Sequence, residues 1–264
     1  MNHLDTCFPC LPMKATRKPL IFGALFSLLS MSCHADVIGF SIGASYWAPE
    51  FSGDFDSVGQ SSIDLSSDLG LDDSSLSSLV LSLEHPIPLL PNVKYQNNDL
   101  AETGSNALTS SVVFEGETYS VSDRLDSTFD LSHEDFILYY ELLDNWVNLD
   151  VGVDVKRFDG EVALVGNANT TTSRIEIDET LALLYLSARF DLPLSGFYIG
   201  ADFSGVSIDD SSVQDTTLKL GYLSDYGLGV EGGLRNFLLE LDDSNGLNSD
   251  IEYDGAYAYM FFRF

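Results

Sequence analysis

The strongest constraint on the fold is a strict alternation of apolar and polar residues from Trp146 to Lys156. The odd-numbered positions hold valine or leucine, whereas the even-numbered positions include Asp150, Asp154 and Lys156. A period of two predicts a β-strand, and this segment is long enough to cross a bilayer at a tilt. Burying these charges in a dry core would be costly, whereas the polar interior of a transmembrane barrel accepts them. The segment therefore predicts a barrel strand whose apolar face meets lipid.

The same alternation recurs along the chain and predicts an all-β fold, a single antiparallel transmembrane β-barrel of about ten strands. The other predicted strands lie at residues 38–46, 79–84, 92–104, 136–142, 182–190, 197–204, 218–222, 226–235 and 256–264. The strand within 92–104 is inferred mainly because the chain must return across the membrane. A soluble, lipocalin-like barrel is the main competing fold.

The predicted connections alternate between short and long. The short ones are 85–92, 143–145, 191–196 and 224–225, and the long ones are 49–74, 105–128, 159–177, 208–215 and 241–252. Bacterial barrels place short turns in the periplasm and long loops outside, so this order with an even strand count predicts that both termini of the barrel lie in the periplasm. Eight or twelve strands also fit, because Thr109–Phe114 and Glu117–Val121 could form a hairpin above the membrane.

The last predicted strand is apolar on one face and ends on Phe264. It resembles the closing strand of bacterial outer-membrane barrels, which the barrel-assembly machinery recognises. The resemblance implies that machinery as a partner. It also implies an assembly signal formed by Tyr259, Met260, Phe262 and Phe264.

The front of the sequence has the order of a secretory signal peptide. A basic stretch, Lys14–Lys18, precedes an apolar run, Leu20–Met31, which is too short for a spanning helix. Small residues then flank a cleavage position before Asp36. We predict three parts: a non-native or extension segment at 1–12, a signal peptide at 13–35 and an outer-membrane barrel at 36–264. Lipoprotein processing at Cys33 is the alternative.

The first short turn contains three prolines within EHPIPLLPNVK, residues 84–94. Prolines fix φ and remove donors, so the turn should be rigid. This motif, with DVIGFSIGASYW at residues 36–47, resembles a family of uncharacterised outer-membrane β-barrel proteins of Gram-negative bacteria. The resemblance implies a fold and a location in the outer membrane. It implies no activity and no catalytic residues.

The chain is strongly acidic, with 41 Asp and Glu against 12 Lys and Arg and a net charge of −29. That charge excludes nucleic acid as a partner. Most of the excess lies in the predicted long loops, where a solvated acidic surface is the simplest interpretation. The alternative is that these loops bind divalent cations beside lipopolysaccharide and other outer-membrane lipids, because hard cations prefer carboxylate oxygens.

The charged residues on the predicted lumen face are nearly balanced, which predicts a packed network of ion pairs. They are Glu84, Glu141, Asp150, Asp154, Lys156, Arg189, Asp202, Lys219, Glu231, Arg235 and Arg263. Barrels of ~8 strands fill their interiors with side chains, whereas open channels need ~16 strands. We therefore expect a closed or very narrow lumen. Aromatic residues near strand ends are expected to form an interfacial girdle: Tyr46, Trp47, Tyr139, Tyr140, Trp146 and Tyr222.

The sequence offers little for catalysis. After the predicted cleavage position it has two histidines, His85 and His133. His85 is interpreted as an interfacial turn residue, and His133 as a surface residue at a strand entry. No lipase elbow, zinc motif or phosphate-binding loop is present. We predict no enzyme, no cofactor and no metal, and a structural or surface-interaction role in the envelope. A narrow solute channel is the alternative, and a lipid-active enzyme ranks third.

Overall fold

The computed structural model describes residues 38–57, 59–71, 75–168, 171–244 and 247–264. The predictions for residues 1–35 lie outside this range. The described residues form fifteen strands: β1 Gly39–Ser57, β2 Ile63–Asp64, β3 Leu76–Glu84, β4 Asn92–Asp99, β5 Ala101–Ala107, β6 Val112–Phe114, β7 Glu117–Tyr119, β8 Arg124–Asp130, β9 His133–Asp144, β10 Val147–Gly166, β11 Thr171–Asp191, β12 Phe197–Ile208, β13 Ser211–Leu223, β14 Leu228–Ser244 and β15 Leu247–Arg263. In this part of the chain, no helix is long and apolar enough to cross a membrane.

Ten of the strands close into one antiparallel ring, in the order β1, β3, β4, β9, β10, β11, β12, β13, β14 and β15. The ring closes between β15 and β1, whose register runs from Ser41 opposite Arg263 to Ser57 opposite Leu247. The predicted ten-stranded barrel is therefore confirmed. The hairpin considered for twelve strands does form, as β6 and β7, but it pairs outside the ring.

The weakest predicted strand, within 92–104, is present as two pieces. β4 pairs with β9 inside the ring, and β5 pairs with β8 beyond it. Leu100 separates β4 from β5, and the Leu131 N–H donates to its carbonyl. β8 in turn pairs with the far part of β10, from Glu161 to Gly166. β5 and β8 therefore extend the barrel wall beyond the ten-stranded ring.

The two ends of the barrel differ in construction. At the short-turn end the connections are residues 85–91, 145–146, 192–196 and 224–227. The Phe264 N–H donates to the Phe40 carbonyl at 2.8 Å, so the first and last described strands meet there. At the other end, which we call the extended end, several strands continue well beyond the apolar part of the outer wall, for example β10 to Gly166 and β14 to Ser244. The β12–β13 hairpin turns earlier, at Asp209–Asp210.

Much of the sequence predicted as long loops at the extended end is strand. Residues 159–166 and 171–177 pair with each other in the β10–β11 hairpin, as do most of residues 241–252 in β14 and β15. Hydropathy does not indicate these strands because many of their outward positions are charged or polar instead of apolar. Backbone pairing continues there regardless of what the outward side chains are.

Polarity inverts along each long strand, and β10 shows this most clearly. Near the short-turn end its outward residues are apolar, such as Val153, and its inward residues are charged, such as Asp154. Farther along, Asp159 points outward and is exposed, whereas Phe158 and Leu164 point inward and are buried. The period of two is unbroken throughout. One half of the wall is therefore built for an apolar surrounding and the other for water.

The apolar half of the outer wall forms a continuous belt. Its exposed members include Phe40, Ile42, Tyr46, Leu79, Leu83, Phe136, Leu138, Tyr140, Val153, Leu184, Leu186, Ile199, Leu218, Leu220, Val230, Leu234, Met260 and Phe262. On β15 it runs from Ala256 to Phe264, roughly 26 Å along the strand and about 20 Å along the axis at a ~40° tilt. This height is close to the ~25 Å apolar band of outer-membrane barrels.

The main apolar core lies inside the extended end. Residues 59–71 and 108–125 fold over this opening and fill it, with Leu65, Leu69 and Phe114 fully buried. The Tyr119 hydroxyl lies 2.8 Å from Ser173 Oγ and therefore ties the inserted hairpin to the wall. We call this core the apolar plug.

Candidate functional site

A charged cluster lies inside the barrel, below the apolar plug. We call it the central charge cluster, and it consists of Asp135, Asp154, Lys156, Asp215 and Arg235. Lys156 Nζ lies 2.6 Å from Asp135 Oδ1 and 3.8 Å from Asp215 Oδ2. Its distance to Asp154 Oδ2 is 4.0 Å. Arg235 donates to both oxygens of Asp215, at 3.0 and 2.7 Å.

Strand register explains why these groups meet. Lys156 on β10 is directly opposite Asp135 on β9, and Asp154 precedes Lys156 by two residues on the same face. Asn98 of β4 links the cluster across the lumen, because its amide donates to Asp135 Oδ2 and its oxygen accepts from Arg235. Side chains from opposite walls therefore bond to one another across the lumen.

His133 is buried in the barrel and is 2% exposed, so its interpretation as a surface histidine was wrong. Its ring stacks on Phe237 at 5.7 Å and contacts Phe158 at 5.1 Å. Nδ1 lies 2.9 Å from the Leu131 carbonyl, whereas Nε2 has no hydrogen-bond partner among the described residues. The residue follows a break in the strand between β8 and β9, which turns it inward.

His133, Asp135 and Asp215 could together approach a metal ion, since their ligand atoms lie within 4.8 Å of one another. Both carboxylates already have cations, however, because Lys156 pairs with Asp135 and Arg235 pairs with Asp215. A metal would have to compete with these two side chains. The arrangement is therefore an ion-pair layer first and a metal site only if those cations are displaced.

A second group of polar contacts lies nearer the short-turn end. Lys219 donates to both oxygens of Asp202, at 2.9 and 2.8 Å. Arg189 pairs with Asp191 at 2.6 Å, and its guanidinium lies 3.9 Å from the centre of the Tyr198 ring. These contacts join β11, β12 and β13 from the inside of the barrel.

Tyrosine hydroxyls complete this layer. Tyr198 donates to Glu231 Oε1 at 2.6 Å, and Tyr257 lies 3.5 Å from Glu231 Oε2. At the mouth, Arg263 pairs with Glu84 at 2.6 Å, so the last strand is tied to β3 across β1. The inner face of the belt-bearing half therefore carries charged side chains and aromatic rings in mutual contact.

All eleven residues predicted for the lumen network lie on the inner face. Nine of them take part in the contacts above. Glu141 is exposed at the short-turn mouth, and Asp150 is partly buried with Oδ1 unpartnered among the described residues. The predicted members thus form two connected layers and a looser rim.

Sequence reasoning missed several partners in these layers. Asp215 was assigned to a loop, and Lys94 lies on the strand with poor alternation, where its ammonium is 5.8 Å from the centre of the Tyr185 ring. Asp135 was not included because it precedes the first clearly apolar residue of β9. The spacing of two residues could have predicted its inward position, since Asp135, Ile137 and Tyr139 share one face.

Two aromatic residues predicted for the interfacial girdle lie inside the barrel instead. Trp47 is 2% exposed, with the Arg235 guanidinium 4.7 Å from its ring centre, and Tyr139 is also buried. The other four girdle residues, Tyr46, Tyr140, Trp146 and Tyr222, are exposed on the outer wall. Position near a strand end does not fix which face a residue occupies, because parity along the strand decides it.

The residues predicted as the assembly signal divide between the two faces of β15. Met260, Phe262 and Phe264 are exposed on the outer wall, and Phe262 and Phe264 are in ring contact at 4.7 Å. Tyr259 faces the lumen and stacks on Phe261 at 5.1 Å. The apolar outer face at the end of the last strand is thus available to contact lipid or protein.

Two carboxylates outside the belt have lowered pKa values. Backbone N–H groups of Ser67 and Ser66 donate to Asp64 and lower the pKa of its carboxyl. The Ser105 hydroxyl has the same effect on the pKa of Asp126. In the plug, burial raises the pKa of Tyr119. The two carboxylate shifts mark where the extended end is held by local hydrogen bonds.

Several solved outer-membrane proteins are similar to this chain. The outer membrane protease OmpT from Escherichia coli matches with a TM-score of 0.49 and 10% identity, over 89% of this chain and 99% of that one. The transport unit of the autotransporter AIDA-I, also from Escherichia coli, gives 0.42 and 8% over 90% and 96%. Ail, the attachment invasion locus protein of Yersinia pestis, gives 0.35 and 10% over 86% and 99%.

These values are too low to transfer an activity, and the neighbours themselves have different roles. No protein-family model matches the sequence. No curated protein matches it either. The family resemblance carried by residues 84–94 therefore remains a prediction, whereas the barrel fold rests on this chain's own strand pairing.

Proposed function

We propose that this chain is an integral outer-membrane β-barrel protein that serves as a closed, acidic platform at the cell surface. In this proposal the belt lies in the membrane, the short turns face the periplasm and the extended end stands outside. The inversion of polarity along β10 supports this orientation, since Val153 faces an apolar surrounding and Asp159 faces water. The signal-peptide pattern at 13–35 and the motif at 84–94 favour the same location.

The observation that carries the functional proposal is the burial of the central charge cluster. Lys156 is 0% exposed, and Asp135, Asp154 and Arg235 are also buried. An aqueous pathway wide enough for solutes would leave such lining residues wet. The apolar plug adds a second closure above the cluster. A role in presenting a surface therefore fits the interior better than a role in transport.

The acidic extension is the surface that such a protein would present. Its outward positions carry carboxylates on neighbouring strands, for example Glu50 opposite Asp254 and Asp54 opposite Asp250. Like charges opposite each other are destabilising unless they are screened or bound by cations. Divalent cations shared with lipopolysaccharide are proposed partners here, and the barrel-assembly machinery is proposed for the last strand. We propose no enzymatic activity and no nucleic-acid partner.

Two measurements on the purified, detergent-folded protein test this proposal. On detergent gels the folded barrel should migrate differently before and after heating. A soluble barrel would not show this heat-modifiable migration. In planar bilayers the protein should insert without discrete conductance steps. Reproducible openings would overturn the closed platform and establish the narrow channel instead.

A further inference from the structure

The wall of the extended end has a gap between β11 and β14. The β12–β13 hairpin is short and turns at Asp209–Asp210, whereas β11 and β14 continue beyond it. Pairing of β11 with β12 stops at Leu184 opposite Gly205. From Thr171 to Leu183, β11 pairs with β10 on one side and with no described strand on the other. We call this second side of residues 171–183 the open edge.

A comparable gap on the opposite side of the barrel is filled by the chain itself. There, residues 59–71 bridge β5 and β1. The Asn106 amide donates to the Ser67 carbonyl, the Ser127 hydroxyl donates to the Leu69 carbonyl, and β2 pairs with β1. The described residues provide no such bridge over the open edge. The two gaps therefore differ, because the one at the open edge has no bridging segment among the described residues.

The apolar plug is incompletely covered at the open edge. Most of its core residues are buried, but a few apolar side chains packed against it are only partly buried. Those that line the gap are Ile175, Ile177 and Leu181 from β11, Val206 from β12 and Leu241 from β14. Ile208, at the end of β12, is 61% exposed. An added strand would place alternate side chains over this apolar surface and remove it from water.

The rim of the gap is acidic. Glu176 and Asp178 point outward along β11, and Asp209 and Asp210 form the turn below. Glu179 shares the inward face with Ile177 and is exposed, and its side chain forms no ion pair or hydrogen bond with any described residue. Inward-pointing charges on an edge strand discourage pairing with an identical edge. The same charges favour an added strand that carries lysine or arginine.

We propose that the open edge of β11 binds an extended basic peptide segment of a partner protein by β-strand addition. Backbone N–H and C=O groups of residues 171–183 would supply the hydrogen bonds, as in other edge-binding proteins. Apolar residues of the peptide would cover Ile175 and Ile177, and a basic residue would pair with Glu179. A second copy of this chain is a poor occupant, because its acidic edge would meet an identical acidic edge. This inference rests on the proposed platform function, of which it names the partner class.

A suitable probe is a nine-residue synthetic peptide with lysine at its outward positions and valine at its inward positions, except for one inward lysine placed to meet Glu179. Its binding to the detergent-folded protein should be saturable at about 0.15 M salt. Methylating every backbone nitrogen of the peptide keeps its charge but removes the donors that strand addition needs, and should weaken binding at least about tenfold. Hydrogen exchange should slow on peptide binding within residues 171–183 and not on the opposite wall.

Reversing charges at the open edge distinguishes peptide binding at a specific site from general electrostatic attraction to the acidic protein. The double variant Glu176→Lys/Glu179→Lys should weaken binding at least roughly fivefold, because two exposed attractions become repulsions. The matched control, Glu50→Lys/Asp254→Lys, makes the same change in net charge on the opposite wall and should bind like the unmodified protein. Both variants alter exposed residues, and heat-modifiable migration verifies that both fold.

Three outcomes would overturn the inference: no binding, equal binding of the methylated peptide, or equal weakening by the two double variants. The last two would mean that the peptide is held by bulk charge alone. Conductance measured on the same preparation keeps the two proposals apart. Channel openings with intact peptide binding reject the closed lumen alone, whereas a silent bilayer without peptide binding rejects the open edge alone.

Discussion

Lys156 Nζ lies 2.6 Å from Asp135 Oδ1, and both side chains are withdrawn from solvent at the middle of the barrel. The pair spans neighbouring strands, β10 and β9, and is reinforced by Asp215 from the far wall. Burying one of these charges alone would be costly, whereas burying it together with its oppositely charged partners is tolerable. The central charge cluster therefore joins separate parts of the wall through hydrogen bonds that apolar side chains could not make.

Replacing Lys156 with methionine should destabilise the barrel strongly. The substitution keeps most of the length of the side chain but leaves Asp135 buried without its cation, which typically costs about 3–5 kcal/mol. Urea unfolding in detergent or lipid vesicles, followed by loss of heat-modifiable migration, measures the effect. We expect a clearly lower unfolding midpoint than for the unmodified protein.

The control for this variant is Arg157→Met, one residue farther along the same strand. Arg157 lies 3.9 Å from Asp178, and both side chains are more than half exposed. Such surface pairs contribute about 0–1 kcal/mol. Equal unfolding midpoints for the two variants would mean that the cluster contributes nothing beyond an ordinary surface pair.

Gly221→Ala should destabilise the membrane half because a tyrosine ring occupies the space of the added methyl group. A Cβ at Gly221 would lie 2.2 Å from Tyr198 Cζ, and Tyr198 is fully buried. The ring is held by its hydrogen bond to Glu231 and by the Arg189 guanidinium, so it cannot move freely. Overpacking of this kind costs about 1–3 kcal/mol. Thermal unfolding in micelles gives the measurement.

Gly232→Ala is the matched control for that substitution. Its added Cβ would meet only the Tyr257 carbonyl, at an ordinary 3.7 Å. We expect the unfolding temperature of this variant to stay close to that of the unmodified protein. If Gly221→Ala is equally harmless, the ring of Tyr198 is not packed as described.

Val153→Arg should impair folding into lipid, whereas Asp159→Arg should not. Val153 lies in the belt, where an arginine near the bilayer midplane costs about 2–4 kcal/mol. Asp159 lies beyond the belt opposite Asp178, so its replacement relieves a like-charge pair. The yield of folded protein in vesicles measures both effects. Equal yields would show that the belt around Val153 does not meet lipid.

Ring closure and strand count could be predicted because barrel strands obey a simple rule. Alternation along 146–156 defined β10, and the even count followed from the need to return across the membrane. The same rule located most lumen residues, since Asp154 and Lys156 share their parity. What it could not give is which charges pair. Lys156 meets Asp215 only because β13 lies across the lumen from β10. No local sequence pattern indicates that relationship.

The extended end was harder to predict for a physical reason. In the belt, lipid demands apolar outward residues, so hydropathy reveals the strand. Beyond the belt the outward residues are charged and the inward ones apolar, as with Asp159 and Phe158. Such a segment looks like a polar loop with scattered apolar residues. The apolar plug was missed likewise, because Leu65 and Leu69 come from a segment with little strand structure.

Asp64 should make the turn over the plug sensitive to acid. Its carboxylate accepts N–H groups of Ser67 and Ser66, at 2.6 and 3.1 Å, and these bonds lower its pKa below the usual 3.8. A lowered pKa means that the folded turn favours the ionised form. The stabilisation is therefore present above the unfolded carboxyl's pKa and is lost as the pH falls through the folded value, below about 4. The amide shifts of Ser66 and Ser67, recorded by NMR in micelles, should titrate with a midpoint below 3.8.

Asp64→Asn is the informative control for this titration. The amide oxygen can still accept from Ser66 and Ser67, but it carries no charge, so their amide shifts should stay flat over the same pH range. Asp64→Ala removes the acceptor itself and should alter those shifts at every pH. If the two serine amides still titrate in Asp64→Asn, another carboxylate controls the turn. A midpoint at or above 3.8 in the unmodified protein would mean that the hydrogen bonds do not favour the ionised form.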